Sequence, residues 1–171
     1  MGLDVDFEQF VGERLPALIR YAVILAGERE LAQDVVQDAL IRANDRWRRI
    51  GAMERPEHYV RRMITTEYLS WRRRHARRAA VLNRWAVALT PGTVVDHAEG
   101  LVQRSALNQQ LATLPPKQRA VLVLDYYEGM TDPEIAEVLS CSPATVRVYR
   151  FRALAALRSV LTEPVPVGED Q

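Results

Sequence analysis

A single cysteine, Cys141, and a single lysine, Lys117, stand in a chain of 171 residues. One cysteine excludes an internal disulfide and any zinc site built from several cysteines. The positive charge is therefore nearly all arginine. That residue matches phosphate and guanine bidentately, but a GC-rich genome gives the same bias, so the bias carries no weight. No stretch approaches the ~20 apolar residues that a membrane span requires, and "MGLDVDFEQFVGER" has no basic, apolar signal run. A cytoplasmic protein with no membrane insertion is expected. His58, His75 and His97 lack metal-ligand spacing, and there is no Gly-rich phosphate loop or nucleophile elbow. No metal, cofactor or small-molecule substrate is expected, and an enzyme is the least favoured class. Strand alternation of useful length, internal repeats and low-complexity tracts are missing too, which leaves an all-α chain.

What is present is unevenly distributed. The formal net charge is only +1, so no global field draws the protein to nucleic acid. Residues 1–40, however, carry eight acidic side chains against three arginines, a net −5. Residues 55–85 carry nine arginines against Glu57 and Glu67, a net +7. The second segment suits phosphates and the first suits something else, so two different partners are suggested.

Apolar residues Phe7, Phe10, Val11, Leu15, Leu18, Ile19 and Ala22 recur at three and four, predicting an amphipathic helix that ends near Gly27. Leu31, Val35, Ala39, Ala43 and Trp47 mark the inward side of a second helix. After the loop "RIGAMERPE", Pro56 can start a third, with Val60, Ile64, Tyr68 and Trp71 on one face. These close a three-helix domain by about residue 80. The boundaries expected are a first domain over 1–84, a linker over 85–100 where Pro91 and Gly92 break periodicity, and a second helical domain over 101–162. A disordered tail over 163–171 follows.

Within the second domain, "TDPEIAEVLSCSPATVRVYRFRALAALR" parses as two helices joined by a very short turn. Thr131 and Glu134 form a T-x-x-E capping box, Ile135, Ala136, Val138 and Leu139 give a packing side, and Ser142 caps a helix with Pro143 in its first turn. So short a connection forces a steep crossing, which small Ala136 permits: this is helix-turn-helix geometry. Cys141, in the turn, reads as a small buried residue rather than a redox sensor. The N-terminal half of the second helix would then enter the major groove, with Ser142, Thr145, Arg147, Val148, Tyr149, Arg150 and Arg152 outward. A lone basic helix is more often a solvated face, but the two caps, the turn length and the preceding helix favour the groove. That preceding helix runs from Lys117 to about Tyr127, with Gly129 as its stop, and Lys117 and Arg119 near its start can hold phosphates.

The stretch "LPPKQRAVLVLDYYEGMTDPEIAEVLSCSPATVRVYRFRALAALR" strongly resembles region 4 of bacterial RNA polymerase sigma factors. "ELAQDVVQDALIRANDRW" followed by "RPEHYVRRMITTEYLSWRRRHARR" resembles region 2. Together they point to the extracytoplasmic-function group, in its actinobacterial branch, over nearly everything from Phe7 to Leu161. The resemblance implies two helical domains and a partner set: core RNA polymerase through its beta-prime clamp helices and beta flap, promoter DNA, and a possible anti-sigma factor. It assigns clamp binding to Asp34, Gln37, Asp38, Ile41, Arg42 and Asp45, which share a face at three- and four-residue spacing. It assigns opening of the −10 element to Arg55, Tyr59, Arg62, Thr66, Tyr68, Leu69, Trp71, Arg72 and Arg73. There an unstacked base is held by a pocket, aromatics and backbone contacts. Helical spacing still puts at least one of Tyr68 and Trp71 in the core. It assigns −35 recognition to the Ser142 helix and lets the linker thread the RNA exit channel.

This chain departs from the family at two places. Thr66 and Glu67 replace an Asn and a small residue; Thr cannot offer a base edge both a donor and an acceptor, and Glu67 facing the strand would repel phosphate. Tyr149 and Arg150 replace an arginine or glutamine and an apolar residue, so a −35 sequence does not transfer from relatives. Two other readings remain: a stand-alone helix-turn-helix regulator on palindromic duplex DNA, and a sigma-like protein that only sequesters an anti-sigma factor. The first gives the +7 segment no purpose. The second draws modest support from Thr66.

Overall fold

The computed structural model describes residues 6–86 and 106–161, and among these every regular element is helical. The chain falls into two compact units, divided between Ser105 and Ala106. The expected linker and tail lie almost wholly outside the described residues. The first unit is made of α1 (Phe7–Ala26), α2 (Arg29–Asn44), the single turn α3 (Trp47–Ile50) and α4 (Pro56–Ala86).

The core of the first unit lies where three helices face one another. Leu18, Tyr21, Ala22 and Leu25 come from α1, Val35, Val36, Ala39 and Ala43 from α2, and Val60, Ile64 and Tyr68 from α4. Each large side chain among them contributes about 1.5–3 kcal/mol through the water it leaves. One buried polar link crosses this core. The Tyr21 hydroxyl meets Thr65 Oγ1 at 2.8 Å, and Thr65 in turn donates to the Arg61 carbonyl at 3.1 Å, so the tyrosine is the donor. Trp47 is buried as expected, but α2 stops at Asn44 and the tryptophan belongs to α3. There its ring meets Phe7 and Phe10 at centroid distances of 5.2 and 4.7 Å. Gly51 closes that turn because a Cβ there would lie 3.0 Å from Trp47 Nε1.

The second unit contains α5 (Ala106–Thr113), α6 (Pro116–Leu122) running on through a π-helical turn at Val123–Tyr127, α7 (Asp132–Leu139) and α8 (Pro143–Leu161). Gly129 ends the α6 segment at φ +65°, where its N–H reaches the Asp125 carbonyl at 2.9 Å and Met130 N–H reaches Leu124 at 3.0 Å. Glu134 accepts from both the N–H and the hydroxyl of Thr131 at 2.7 Å. Ser142 Oγ accepts the Thr145 N–H at 3.1 Å. Both caps read from the sequence therefore hold α7 and α8 at their starts. Val121, Leu124, Ile135, Leu139, Val146 and Ala153 form the core that locks α6, α7 and α8 together. Cys141 is only half-buried.

The turn between α7 and α8 is three residues long and is made possible by Ser140, the only non-glycine residue with positive φ among those described, at 51°. A left-handed conformation costs an L-residue roughly 1–2 kcal/mol, which glycine avoids while losing more backbone entropy on folding. Ser140→Gly is therefore expected to stabilise the second unit by about 0.5–1 kcal/mol, a rise of roughly 2–8 °C for a domain of this size by thermal melting.

Candidate functional site

Three surfaces carry the residues expected to act. The first is the outer face of α2. Asp34, Gln37, Asp38, Ile41, Arg42 and Asp45 are all exposed, Asp45 as the residue that ends the helix. Ile41 is 56% exposed and edges a groove of about 460 Å³. Phe7, Val11, Leu15 and Ile19 of α1 and Val36, Leu40 and Ile41 of α2 line that groove, with Gln33, Gln37, Asn44 and Asp45 at its rim. The apolar stripe of α1 is thus wider than one core needs. Its Phe10, Leu18 and Ala22 face inward, while Val11, Leu15 and Ile19 face this opening. Arg42 does not stand apart on the face, because it pairs with Glu67 of α4, whose carboxylate is nearly buried. Glu67 consequently faces α2, not a DNA strand, and the repulsion expected from it does not arise.

The second surface is α4. Arg55, Thr66, Arg72 and Arg73 are exposed, and Tyr59, Arg62 and Trp71 are half-buried. Thr66 donates its hydroxyl to the Arg62 carbonyl at 3.0 Å, which leaves its oxygen as an acceptor. Tyr68 is 1% exposed and Leu69 is also buried, so neither reaches DNA in this fold. Both lie on the inward face of α4, and the expectation that they contact the −10 strand is corrected. Trp71 stacks on His75 one turn on, with centroids 3.8 Å apart and 22° between planes. From Arg72 to Leu82 every residue is exposed, so Arg72, Arg73, Arg74, Arg77 and Arg78 surround a stretch of α4 that projects beyond the described core.

The third surface belongs to α8. Ala144, Arg147, Val148, Phe151 and Arg152 are exposed along one face; Thr145 and Tyr149 sit half-buried at its flanks, and Ser142 is exposed but occupied in capping. Phe151, 73% exposed, was not among the expected residues. Its spacing of four from Arg147 and three from Val148 was the available signal. Arg150 points the other way. Its Nε donates to Asp125 Oδ2 at 2.6 Å and its Nη2 to Asp132 Oδ1 at 2.5 Å, so it joins α8 to the end of α6 and the start of α7. Arg150 thereby holds the Asp132 carboxyl below its ordinary range, against the opposing effect of burial, and Arg147 adds to the lowering. Asp132 in turn raises Arg150. Lys117 is half-buried. Arg119 is buried, 5% exposed, and donates to the carbonyls of Ala112 and Leu114 at 2.6 and 3.2 Å. Arg119 and Arg150 are therefore fold residues, and their expected places at the DNA are corrected.

Among the described residues there is no cluster of three or more His, Cys, Asp or Glu side chains able to hold a metal, and no helix long and apolar enough to cross a membrane. The described residues thus form a helical unit bearing an acidic and apolar face and, after it in the chain, a helix-turn-helix unit. The Sigma-70 region 2 model matches residues 10–78 and the Sigma-70, region 4 model residues 104–157. The RNA polymerase sigma-E factor of Streptomyces avermitilis is 37% identical over 92% of this chain and 86% of its own length. The ECF RNA polymerase sigma factor SigL of Mycobacterium tuberculosis is 32% identical over 88% and 86%. The fold is shared with the sigma factor RpoE solved in complex with the anti-sigma factor NepR from Bartonella quintana. There the TM-score is 0.64 at 22% identity, over 94% of this chain and 99% of that one. The chain belongs to the sigma-70 family of RNA polymerase sigma factors, in its extracytoplasmic-function group.

Proposed function

We propose a division of labour between the two units. The α2 face, with Ile41 at the mouth of the apolar groove and Asp34, Asp38 and Asp45 around it, docks on core RNA polymerase. The α4 surface holds the opened −10 strand through Arg55, Tyr59, Arg62, Thr66 and Trp71, with Arg72 and Arg73 on its phosphates. The α8 face reads the −35 element, with Arg147 donating to a base edge and Arg152 to a base edge or phosphate. Val148 and Phe151 lie flat against thymine methyls there. In this reading the protein acts in the cytoplasm and by binding alone, with residues 85–100 spanning the two domains, and redirects an enzyme without chemistry of its own. An anti-sigma protein that covered the α2 face would silence it.

The observation that supports this most is the α8 face. Two caps and a three-residue turn present Arg147, Val148, Phe151 and Arg152 together, while the remaining sides of the helix are buried or engaged. Run-off transcription with core polymerase on a pool of genomic promoter fragments tests it. Wild type should initiate at discrete sites, Asp38→Arg should lose polymerase binding, and Arg147→Ala should keep polymerase but lose site choice. A protein that binds core or an anti-sigma factor yet never initiates is the sequestering rival, and one that binds duplex DNA alone is an ordinary regulator.

A further inference from the structure

The two carboxylate oxygens of Asp132 serve different arginines. Oδ1 accepts from Arg150 Nη2 at 2.5 Å, and Oδ2 lies 3.5 Å from Arg147 Nη1. Arg147 and Arg150 are three residues apart on α8 but face opposite environments. Arg150 is drawn inward between Asp125 and Asp132, while the Arg147 side chain is 61% exposed on the groove-facing side. Asp132 itself is the first residue of α7, set by the Thr131–Glu134 cap and by Pro133, so it belongs to the rigid part of the unit. A long arginine on a surface ordinarily samples many rotamers, and a DNA contact must first freeze them. A carboxylate beside one edge of the guanidinium removes part of that freedom before DNA arrives.

We propose that Asp132 is a positioning residue for promoter reading: held in place by Arg150, it orients the Arg147 guanidinium toward a base edge. This rests on the assignment of α8 to the −35 element and adds a determinant of its specificity. The pattern of donors fits. Asp132 takes one edge of the Arg147 fork, and the remaining guanidinium N–H groups are left for the acceptors of a guanine in the major groove. Arg150 is the brace. Its charge is answered by two carboxylates, Asp125 and Asp132, so it adds no positive potential to the groove. The net attraction for phosphate there comes from Arg147 and Arg152.

A competing role for the same carboxylate is a lure that holds Arg147 away from DNA, and the two roles have opposite consequences. Binding sites are selected by holoenzyme from promoters randomised across the upstream element, using wild type, Arg147→Ala, Asp132→Asn and Asp125→Asn. Asp125 contacts Arg150 without touching Arg147 in the ion pairs described here, so Asp125→Asn measures loosening of the brace alone. Arg147→Ala should flatten the preference at one base pair. Asp132→Asn should reduce discrimination at that same base pair by about 3- to 10-fold, leaving the other positions as in wild type. Asp125→Asn should leave that preference in place.

If Arg147→Ala changes no base preference, the assignment of α8 falls and this proposal with it. If Arg147→Ala acts but Asp132→Asn matches Asp125→Asn, or binds more tightly with discrimination unchanged, the proposal alone is overturned. Should Asp132→Asn fold poorly because Arg150 is left half-paired, Arg150→Met replaces the brace by apolar packing. Preference at the Arg147 base should be reduced but persist in Arg150→Met, where Asp132 keeps its place at the start of α7, and be lost in the double variant Asp132→Asn/Arg150→Met. Equal preference in those two overturns the proposal.

Discussion

An Ile41→Glu protein is expected to melt like wild type and to bind core RNA polymerase at least 30-fold more weakly. The first half follows from exposure. Ile41 is more than half accessible, buries little on folding, and sits in a helix where glutamate is as good a former as isoleucine. The second half follows from position. Ile41 stands where an apolar groove opens beside Gln37, Asn44 and Asp45, and an apolar anchor within a polar rim is where binding energy concentrates. Truncating such an anchor typically removes about 2 kcal/mol or more, a factor of roughly 30 in affinity. Glutamate in its place also adds a fourth negative charge to a face that already carries Asp34, Asp38 and Asp45. Affinity of labelled core polymerase for the two proteins decides it. Equal binding would mean that the groove between α1 and α2 points away from the polymerase.

That groove shows what the sequence alone conveyed and what it did not. Periodicity identified α1 and its apolar positions correctly, but periodicity reports that a side chain is apolar, not which of two surfaces it meets. Seven apolar residues on α1 divide between a core and an open groove only once α2 is in place. The helix-turn-helix was more legible because its signals are local. Thr131, Glu134, Ser142 and Pro143 act on their own backbone within three or four residues, so the chain order itself specifies the geometry. The turn at Ser140 has no comparable sign, since serine there gives no warning of a left-handed conformation.

Charged residues were the hardest to place, for a physical reason. An arginine goes where its partner is, and its partner is brought by folding. Arg42 finds Glu67 across 25 positions of sequence and Arg150 finds Asp125 across the same separation. Both were read as surface ligands because their helical positions allow it, and in the fold both connect helices. For Tyr68 and Leu69 the opposite happened. Resemblance pointed them at DNA, whereas the spacing of Tyr68 from Val60 and Ile64 pointed it inward, and the spacing prevailed.

Arg119→Ala is expected to lower the melting temperature of the second unit by roughly 10–20 °C, a loss of about 2–3 kcal/mol in a domain of this size. The guanidinium is buried and donates to the carbonyls of Ala112 and Leu114, which close the C-terminal end of α5. Without it those acceptors lose a charged donor at a helix end where cations are favoured. The buried aliphatic stem is lost as well. Arg119→Met separates the two contributions, because it keeps most of the stem and loses only the donors; its melting point should fall between the other two. Lys117→Ala makes the contrast. Two residues earlier and half accessible, it should melt within a degree or two of wild type and lower the salt dependence of promoter binding by about one phosphate contact. If Arg119→Ala instead melted normally and lost DNA affinity, the buried arginine would have to leave its carbonyl partners to meet DNA. The second unit would then be a different structure in its bound state.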